Sequence, residues 1–117
     1  MQRPCKIITR ESGDVAIITV RGRLDPTDLN DPLETALTSL MEKGKSKFLM
    51  DLRTVSYISS TGVGSLIKAY RSVLKKKGKV KILNPSQSVR NILAISRLEG
   101  VFEIYTDEHE ALSSFAS

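Results

Sequence analysis

Two largely apolar runs at the start of the chain, separated by a short polar segment, predict a β-hairpin. Residues 6–10 and 15–22 are both rich in β-branched side chains, which is typical of strands. Residues 11–14 lie between them and include the turn-forming types Ser, Gly and Asp. Because so short a segment joins the two runs, we expect them to pair as antiparallel neighbours.

A first helix is predicted after this hairpin. Asp28 and Asp31 are both suitable N-cap residues by type. Pro32 in the first helical position and Glu34 in the third form a good start signal after Asp31, and Gly44 is the expected stop. The residues with helical apolar spacing are Leu33, Ala36, Leu37, Leu40 and Met41.

A nearly continuous apolar run over residues 47–52 predicts a central strand. A polar connection follows it, and a second helix is predicted from Ser60 or Thr61 to Lys76, with Gly78 as the stop. The side of this helix expected to face the sheet carries Val63, Leu66, Ile67, Tyr70, Val73 and Leu74. The side expected to face solvent carries Ser65, Lys68, Arg71 and Lys75.

The last third of the chain predicts two further strand and helix pairs. Residues 79–83 alternate as a half-exposed strand does, and residues 84–86 form a turn before a capped helix that Gly100 closes. Residues 101–105 predict a short strand, and Thr106 or Asp107 is expected to cap a final helix. The inward positions of the first of these helices are Val89, Ile92, Leu93 and Ile95 or Ser96, and those of the second are Ala111, Leu112 and Phe115.

This order of elements predicts an α/β fold. Strands and helices alternate after an opening hairpin, so the fold is expected to be a mixed β-sheet of about five strands with about four helices. The length of 117 residues suits one domain over residues 1–117. Binding sites in such sheets tend to lie beyond the carboxyl ends of parallel strands. Residues 59–62 follow one such end.

The formal charge of +5 is concentrated partly in lysines 75, 76, 77, 79 and 81. Cations near a helix C-terminus complement its dipole, so a solvated face explains this cluster better than nucleic-acid binding does. The absence of Trp and the scarcity of other aromatic residues leave little to stack on bases. No apolar run approaches membrane-spanning length, and the single Cys5 cannot form an internal disulfide. We therefore expect a cytoplasmic protein without direct nucleic-acid or membrane partners.

Three hydroxyl residues, Ser59, Ser60 and Thr61, crowd the predicted start of the second helix. Free backbone N–H groups and the positive end of the helix dipole meet there, so the place suits either a hydroxyl cap or an attached phosphate. Gly62 and Gly64 let another backbone or a phosphate come close. One cap would satisfy the helix, so residue type alone does not distinguish these uses.

Enzymatic chemistry has little support in the sequence. Gly62 and Gly64 begin like a dinucleotide-binding fingerprint, but Ile67 occupies the position of the third glycine. The only histidine, His109, lies in a charged segment and is expected to be a solvated helix residue rather than a catalytic base. We expect a protein that is not an enzyme and that holds no cofactor or metal.

Residues 51–64, DLRTVSYISSTGVG, resemble the signature of STAS domains, specifically of the bacterial anti-sigma factor antagonists. The family pattern runs Asp-Leu, a few residues, a hydrophobic-aromatic pair, and then Asp-Ser-Ser/Thr-Gly-hydrophobic-Gly. Residues 22–25, GRLD, resemble the family's Gly-x-Leu-Asp segment. The resemblance implies a STAS fold with its helices mainly on one face of the sheet.

The resemblance also implies a role and a set of site residues. Ser60 matches the family's phosphorylated serine, and the implied partner is an anti-sigma factor with serine kinase activity, with a phosphatase as a further implied partner. ATP and magnesium would belong to the kinase. The residues expected around the phosphate are Ser59, Thr61, Gly62, Gly64 and Asp25. The residues expected to contact the partner are Asp25, Thr27, Ser60, Thr61, Asn84, Ser86 and Val89.

The sequence departs from the family pattern at Ser59, where the family usually carries Asp. This difference keeps a second interpretation open, in which the protein is a non-phosphorylated STAS scaffold or an accessory subunit of a signalling or lipid-transport complex. Asp25 likewise has two interpretations. From its type alone it is a turn or capping residue, whereas the resemblance places it beside Ser60.

Overall fold

A computed structural model describes residues 5–27, 29–98 and 100–116 of the protein. These ranges form six strands and four helices. The strands are β1 (Lys6–Ser12), β2 (Val15–Leu24), β3 (Lys47–Asp51), β4 (Val55–Ile58), β5 (Lys79–Leu83) and β6 (Glu103–Tyr105). The helices are α1 (Pro32–Glu42), α2 (Ser60–Lys75), α3 (Gln87–Ile95) and α4 (Glu108–Ser114).

The strands form one mixed sheet in the order β1-β2-β3-β5-β6, and β4 pairs with β2 beyond the end of β3. The predicted hairpin is confirmed, because β1 and β2 are antiparallel and Ser12 lies opposite Val15. The other strand pairs are parallel. Each crossover between them in the β3-β5-β6 part of the sheet contains a helix, as the alternation of elements predicted.

Strand β4 corrects the predicted polar connection after β3. Gly22 pairs with Val55 and Arg23 pairs with Tyr57, so Ser56 is an extra residue that bulges out of the ladder. Only Val55 and Ile58 in this strand are buried. A four-residue strand with a bulge does not show the strict alternation by which strands are recognised in a sequence.

The main core lies between the sheet and helices α1, α2 and α3. Phe48 and Met50 of β3 are fully buried there, together with Leu33 of α1, Leu66 of α2 and Leu93 of α3. Helix α4 covers the opposite face, where Ala111 and Phe115 pack over a smaller cluster from β2, β3 and β5. Three of the four helices therefore lie on one face, as expected.

Helix α2 has its apolar side rotated slightly from the predicted stripe. Leu66 is fully buried and Ile67 is partly buried, as expected. Leu74, predicted to face the sheet, is 48% exposed, whereas Ser65, predicted to face solvent, is buried. Ser65 can lie inside because its hydroxyl has a hydrogen-bond partner in Asp31.

Strand β5 is covered on both faces and is not the half-exposed strand that its alternation predicted. Lys81 is only 4% exposed, because helix α4 lies over it. Its ammonium group donates to the backbone carbonyl and hydroxyl oxygens of Ser114, at 3.2 and 2.7 Å, and lies 4.7 Å from the centre of the Phe115 ring. Lys81 therefore belongs to the packing of α4 and not to the exposed basic cluster.

The predicted helix starts are largely confirmed. Asp31 caps α1 by accepting from the backbone N–H of Glu34, and Asp107 caps α4 in the same way. The alternative cap for α1, Asp28, lies outside the described residues. Helix α3 ends before the predicted stop at Gly100, because Arg97 adopts a left-handed conformation (φ 58°) that turns the chain away.

None of the helices in the described ranges is long and apolar enough to cross a lipid bilayer.

Candidate functional site

The start of helix α2 is held against the end of strand β2. Strand β4 runs parallel to β2 and delivers the chain to Ser59, whose backbone N–H donates to the carbonyl oxygen of Leu24 at 3.1 Å. Gly62, one turn further on, lies so close to the same carbonyl that a Cβ atom there would be 2.3 Å from the oxygen. The first turn of α2 is therefore fixed next to the loop that begins at Asp25.

Ser59 is the residue that caps helix α2. Its hydroxyl oxygen accepts from the backbone N–H of Gly62 at 3.1 Å and lies 2.8 Å from the hydroxyl oxygen of Thr61. Thr61 donates to a carboxylate oxygen of Asp25 at 3.4 Å. A chain of polar side chains therefore joins the helix start to the end of β2 through Ser59, Thr61 and Asp25.

Ser60 occupies the first position of helix α2, between Ser59 and Thr61, and its side chain is exposed. Among the described residues, no side chain or backbone group forms a hydrogen bond with its hydroxyl. The cap of α2 is supplied by Ser59, so the Ser60 hydroxyl is not needed for the local structure. Of the three hydroxyl groups at the helix start, it is the one that forms no hydrogen bond among the described residues, since Ser59 and Thr61 both do.

A shallow groove of about 670 Å³ lies beside the helix start. Gly64 adds no side chain to it, and a Cβ atom at that position would meet nothing within 4 Å. Thr27 reaches the groove from a tight loop in which its backbone exchanges two hydrogen bonds with Asn30. The groove is lined by Asp25, Pro26, Thr27, Asp31, Glu34, Thr61, Gly64, Ser65 and Lys68.

The floor of this groove connects helices α1 and α2. The hydroxyl of Ser65 donates to both carboxylate oxygens of Asp31, at 2.8 and 3.1 Å. At the rim, Lys68 pairs with Glu34 at 2.8 Å. The sequence identified Asp31 as a cap, but its contact with Ser65 was missed, because residues 34 positions apart in the chain leave no local signal of their contact.

The predicted site residues after β5 lie on the other side of β4. Asn84 adopts a left-handed backbone conformation (φ 46°), and Ser86 caps α3 by accepting from the backbone N–H of Val89 at 3.3 Å. The hydroxyl of Ser88 donates to the carbonyl oxygen of Ser56 in β4 at 3.2 Å, which ties this segment to the strand leading to Ser59. Strand β4 therefore separates this segment from the helix start.

Val89 does not belong to a surface. Its side chain is fully buried in the main core. The expectation that Val89 contacts a partner is corrected on this ground, since a side chain without exposed area cannot be touched in this conformation. In a sequence, an apolar residue such as this valine is compatible with a place in the core and with a contact to a partner. Only its packing in the fold distinguishes the two roles.

The described residues contain no group of three or more His, Cys, Asp or Glu side chains arranged to hold a metal ion. The one cysteine is a poor nucleophile, because burial raises the pKa of the Cys5 thiol and the charge of Asp31 raises it further. His109 is exposed on α4, as expected. The polar side chains at the helix start are hydroxyl groups beside the carboxylate of Asp25.

Comparison with known proteins places this fold and motif in a family. The STAS domain family model matches residues 6–111, which span all but a few positions at each end. The chain belongs to the STAS domain family. A STAS-domain-containing protein of Pseudomonas aeruginosa is 30% identical over 96 residues, which cover 79% of this chain and 89% of the relative.

Solved structures of anti-sigma factor antagonists share the fold. The antagonist from Mycobacterium paratuberculosis superimposes with a TM-score of 0.82 at 20% identity, over 100% of both chains. The unphosphorylated form of the antagonist SpoIIAA gives a TM-score of 0.73 at 21% identity, over 93% of this chain and 95% of that one. The predicted STAS fold is thus confirmed, with six strands where about five were expected.

Proposed function

We propose that this protein is a switch that binds an anti-sigma factor with serine kinase activity, and that phosphorylation of Ser60 releases it. Binding would free the sigma factor, and the phosphate would reverse that effect. The observation that carries the proposal is the Ser60 hydroxyl, which is exposed and unpaired among the described residues in a helix start capped by Ser59. Structures of the similar protein SpoIIAA in unphosphorylated and phosphorylated forms support a modification in this fold.

The local geometry supports a switch that works by charge and not by unfolding. A phosphate on Ser60 would add about 1.5 to 2 negative charges at the positive end of the α2 dipole, which tolerates them. The cap bond from Gly62 to Ser59 does not involve Ser60, so it would survive the modification. The domain would remain folded, and the new charge would repel or block a partner seated at the helix start.

The partner surface in this proposal consists of the helix start and its two neighbouring segments. Asp25, Thr27 and Thr61 line the groove on one side of Ser60, and Asn84 and Ser86 lie across β4. Val89 is omitted because it is buried. The protein itself needs no cofactor in this scheme and is not an enzyme, since the kinase supplies the ATP site and the magnesium ion.

Affinity capture from the native cell, followed by mass spectrometry, tests the proposal. The baits are the wild-type protein, Ser60→Ala and Ser60→Glu. We expect wild type and Ser60→Ala to capture an anti-sigma factor with a kinase domain, and Ser60→Glu to lose it. Equal capture of one protein by all three baits would contradict the switch.

A second function is favoured by Ser59, which stands where the family pattern has Asp. If the missing carboxylate is needed for phosphate transfer, the protein acts as a non-phosphorylated STAS scaffold or as an accessory subunit of a signalling or lipid-transport complex. Capture of a stable complex that contains no kinase, together with a Ser60 that never carries phosphate in the cell, would support this alternative.

A further inference from the structure

Helix α4 covers only about half of its face of the sheet, and no other helix of the described ranges covers the rest. Ala111 and Phe115 of α4 pack over Val15 and Ile17, so the covered part of β2 ends near Ile17. The remaining residues of β2 that point to this side are at positions 19, 21 and 23, because side chains alternate along a strand. This part of β2 lies between β1 and β4.

Strand pairing places further side chains on the same side. Lys6 of β1 lies opposite Arg21, and Tyr57 of β4 lies opposite Arg23. The intervening residues Val20 and Leu24 are fully buried on the other side, in the main core, which confirms the alternation. Ile8 of β1 lies opposite Thr19 and is partly exposed on this side as well. We call this area the open sheet face; it is defined by Lys6, Ile8, Thr19, Arg21, Arg23 and Tyr57.

The open sheet face carries uncompensated positive charge. Within the described ranges, none of Lys6, Arg21 and Arg23 forms an ion pair. This differs from Arg10 at its border, which pairs with Glu108 of α4. The three free cations are therefore available to an acidic ligand.

One acidic residue also lies on this side of the sheet. Asp51 lies opposite Thr19 in the β2 and β3 register, but it is only 7% exposed. Its carboxylate accepts from the backbone N–H of Arg53 at 3.1 Å, at the end of its own strand. The three cations therefore outnumber this one carboxylate and are more exposed than it.

The guanidinium group of Arg23 is held in place by Tyr57. Its central carbon lies 4.2 Å from the centre of the Tyr57 ring, and Tyr57 is 41% exposed. A guanidinium group this close to an aromatic ring is held by cation–π attraction, and its N–H donors match the geometry of a carboxylate. Holding the side chain in this way reduces the conformational freedom that it loses on binding. These features are typical of a prepared site for carboxylates.

We propose that the open sheet face docks an acidic segment of a partner protein, one rich in Asp and Glu. Three cations provide few contacts for a nucleic acid, and the one aromatic ring is already covered by Arg23. Ile8 is the one aliphatic side chain among the residues that define this face, and it is only partly exposed. The strongly exposed aliphatic residues Leu29, Leu74, Ile95 and Val101 lie elsewhere among the described residues, so the face offers little to insert into a membrane.

That the ligand of the open sheet face is a protein also rests on the proposed function, because this face adjoins the proposed partner surface. Arg23 is two residues from Asp25, and Tyr57 is two residues from Ser59. A partner seated at the start of α2 would therefore reach the open sheet face without a further binding event.

Titration with a short fluorescent peptide of alternating Asp and Glu tests this proposal. The variant Arg21→Glu/Arg23→Glu is compared with Lys75→Glu/Lys76→Glu, which reverses the same number of charges on two exposed lysines at the end of α2. We expect the arginine variant to bind the peptide about tenfold more weakly and the lysine variant to bind nearly as wild type does. Amide chemical shifts of wild type should change at residues 19–23 and 55–58.

Several outcomes would overturn the proposal. The first is that the peptide does not bind to wild type, and the second is that both double variants weaken its binding equally. The third is that phosphatidylserine vesicles or a single-stranded oligonucleotide bind in place of the peptide, in a way that depends on the arginines. Arg21→Ala and Lys6→Ala serve as milder variants if the double variant unfolds, and each should weaken binding. Ser60→Ala should bind the peptide as wild type does, so this titration can fail or succeed independently of the Ser60 switch.

Discussion

Gly62 and Leu24 are in direct backbone contact, and this contact sets the position of the candidate site. A Cβ atom at Gly62 would lie 2.3 Å from the carbonyl oxygen of Leu24 and 2.8 Å from a side-chain carbon of Ile58. Neither neighbour can move easily, because the Leu24 carbonyl also accepts from the backbone N–H of Ser59. Glycine is therefore required at position 62 for steric reasons, whatever the protein binds.

Gly62→Ala should destabilise the protein by about 1 to 3 kcal/mol, as other overpacked sites do. Gly64→Ala is the matched control, since it lies in the same helix turn and its Cβ atom would meet nothing within 4 Å. The control should stabilise the protein by about 0.5 to 1 kcal/mol, because alanine costs less backbone entropy in a helix. Urea unfolding measures the free energy of unfolding of both variants. Equal changes in the two would contradict the close approach of Gly62 to the Leu24 carbonyl.

Ser65→Ala should cost about 1 to 3 kcal/mol, because it removes the donor to a partly buried carboxylate. The Ser65 hydroxyl donates to both oxygens of Asp31 and so joins α1 to α2. Ser72 lies in the same helix, and its hydroxyl has no hydrogen bond within the described ranges, so Ser72→Ala should change stability by less than about 0.5 kcal/mol. Thermal unfolding of the two variants gives the comparison, and equal midpoints would mean that the Ser65 contact carries no net stability.

Leu66→Ala should destabilise the protein by about 2 to 5 kcal/mol, because Leu66 is fully buried between α2 and the sheet. Leu74 offers a control with identical chemistry in the same helix, at 48% exposure. Leu74→Ala should cost about 1 kcal/mol or less, since half of its side chain is already in water. A larger effect at Leu74 than at Leu66 in denaturant unfolding would show that the apolar side of α2 is misplaced.

Local chemistry explains which parts of the fold could be predicted from the sequence. The opening hairpin, the Asp31 and Asp107 caps and the end of α1 near Gly44 depend on residues that are neighbours in the chain. The patterns that predict them act over a few residues, so they are visible in one sequence. The choice between Ser59, Ser60 and Thr61 as the cap was left open because all three types are good caps.

Contacts between distant residues explain the errors. Ser65 has a polar type, and its burial depends on Asp31, the cap of another helix. Lys81 is buried because α4, from the end of the chain, supplies an oxygen-lined and aromatic site for its ammonium group. The link from Thr61 to Asp25 joins residues 36 positions apart. Only the resemblance to STAS domains indicated beforehand that this loop lies beside the helix start.

The ion pair between Asp14 and Lys47 makes a pH-dependent contribution to stability. The Lys47 ammonium group donates to a carboxylate oxygen of Asp14 at 2.7 Å, and this hydrogen bond lowers the pKa of Asp14 from its usual 3.8. The unfolded chain then binds a proton at a higher pH than the folded protein does. The contribution is therefore fully present above pH 3.8 and is lost as the pH falls through the lower pKa of the folded state.

Asp14→Asn should lower the urea midpoint slightly at neutral pH, and the difference from wild type should vanish in acid. The effect should be small and should shrink in high salt, because the pair is exposed to solvent. Lys47→Met should reduce the pH dependence of this difference, because Lys47 is the largest cause of the lowered pKa of Asp14. A difference between wild type and Asp14→Asn that grows as the pH falls below 3.8 would reverse the sign argued here.

Ser59→Asp should accelerate phosphorylation of Ser60 by the partner kinase. Aspartate is as good an N-cap as serine, so the introduced carboxylate can still accept from the backbone N–H of Gly62 and keep the helix start in place. It would restore the carboxylate of the family pattern next to the acceptor, where it can orient the Ser60 hydroxyl or a kinase-bound magnesium ion. Against this, a second negative charge near Asp25 would repel the phosphate once it is attached.

Orientation should outweigh repulsion in this variant, because Ser60 is exposed and water screens the added charge. Phosphate incorporation is measured with the captured kinase and ATP for wild type, Ser59→Asp, Ser59→Ala and Ser60→Ala. We expect slow labelling of wild type, faster labelling of Ser59→Asp and none of Ser60→Ala. Ser59→Ala lacks the cap and should lose about 1 kcal/mol of stability. Its labelling rate therefore shows whether phosphorylation responds to a destabilised helix start or to the missing carboxylate. Label retained in Ser60→Ala would exclude Ser60 as the acceptor, and no label in wild type or Ser59→Asp would favour the scaffold.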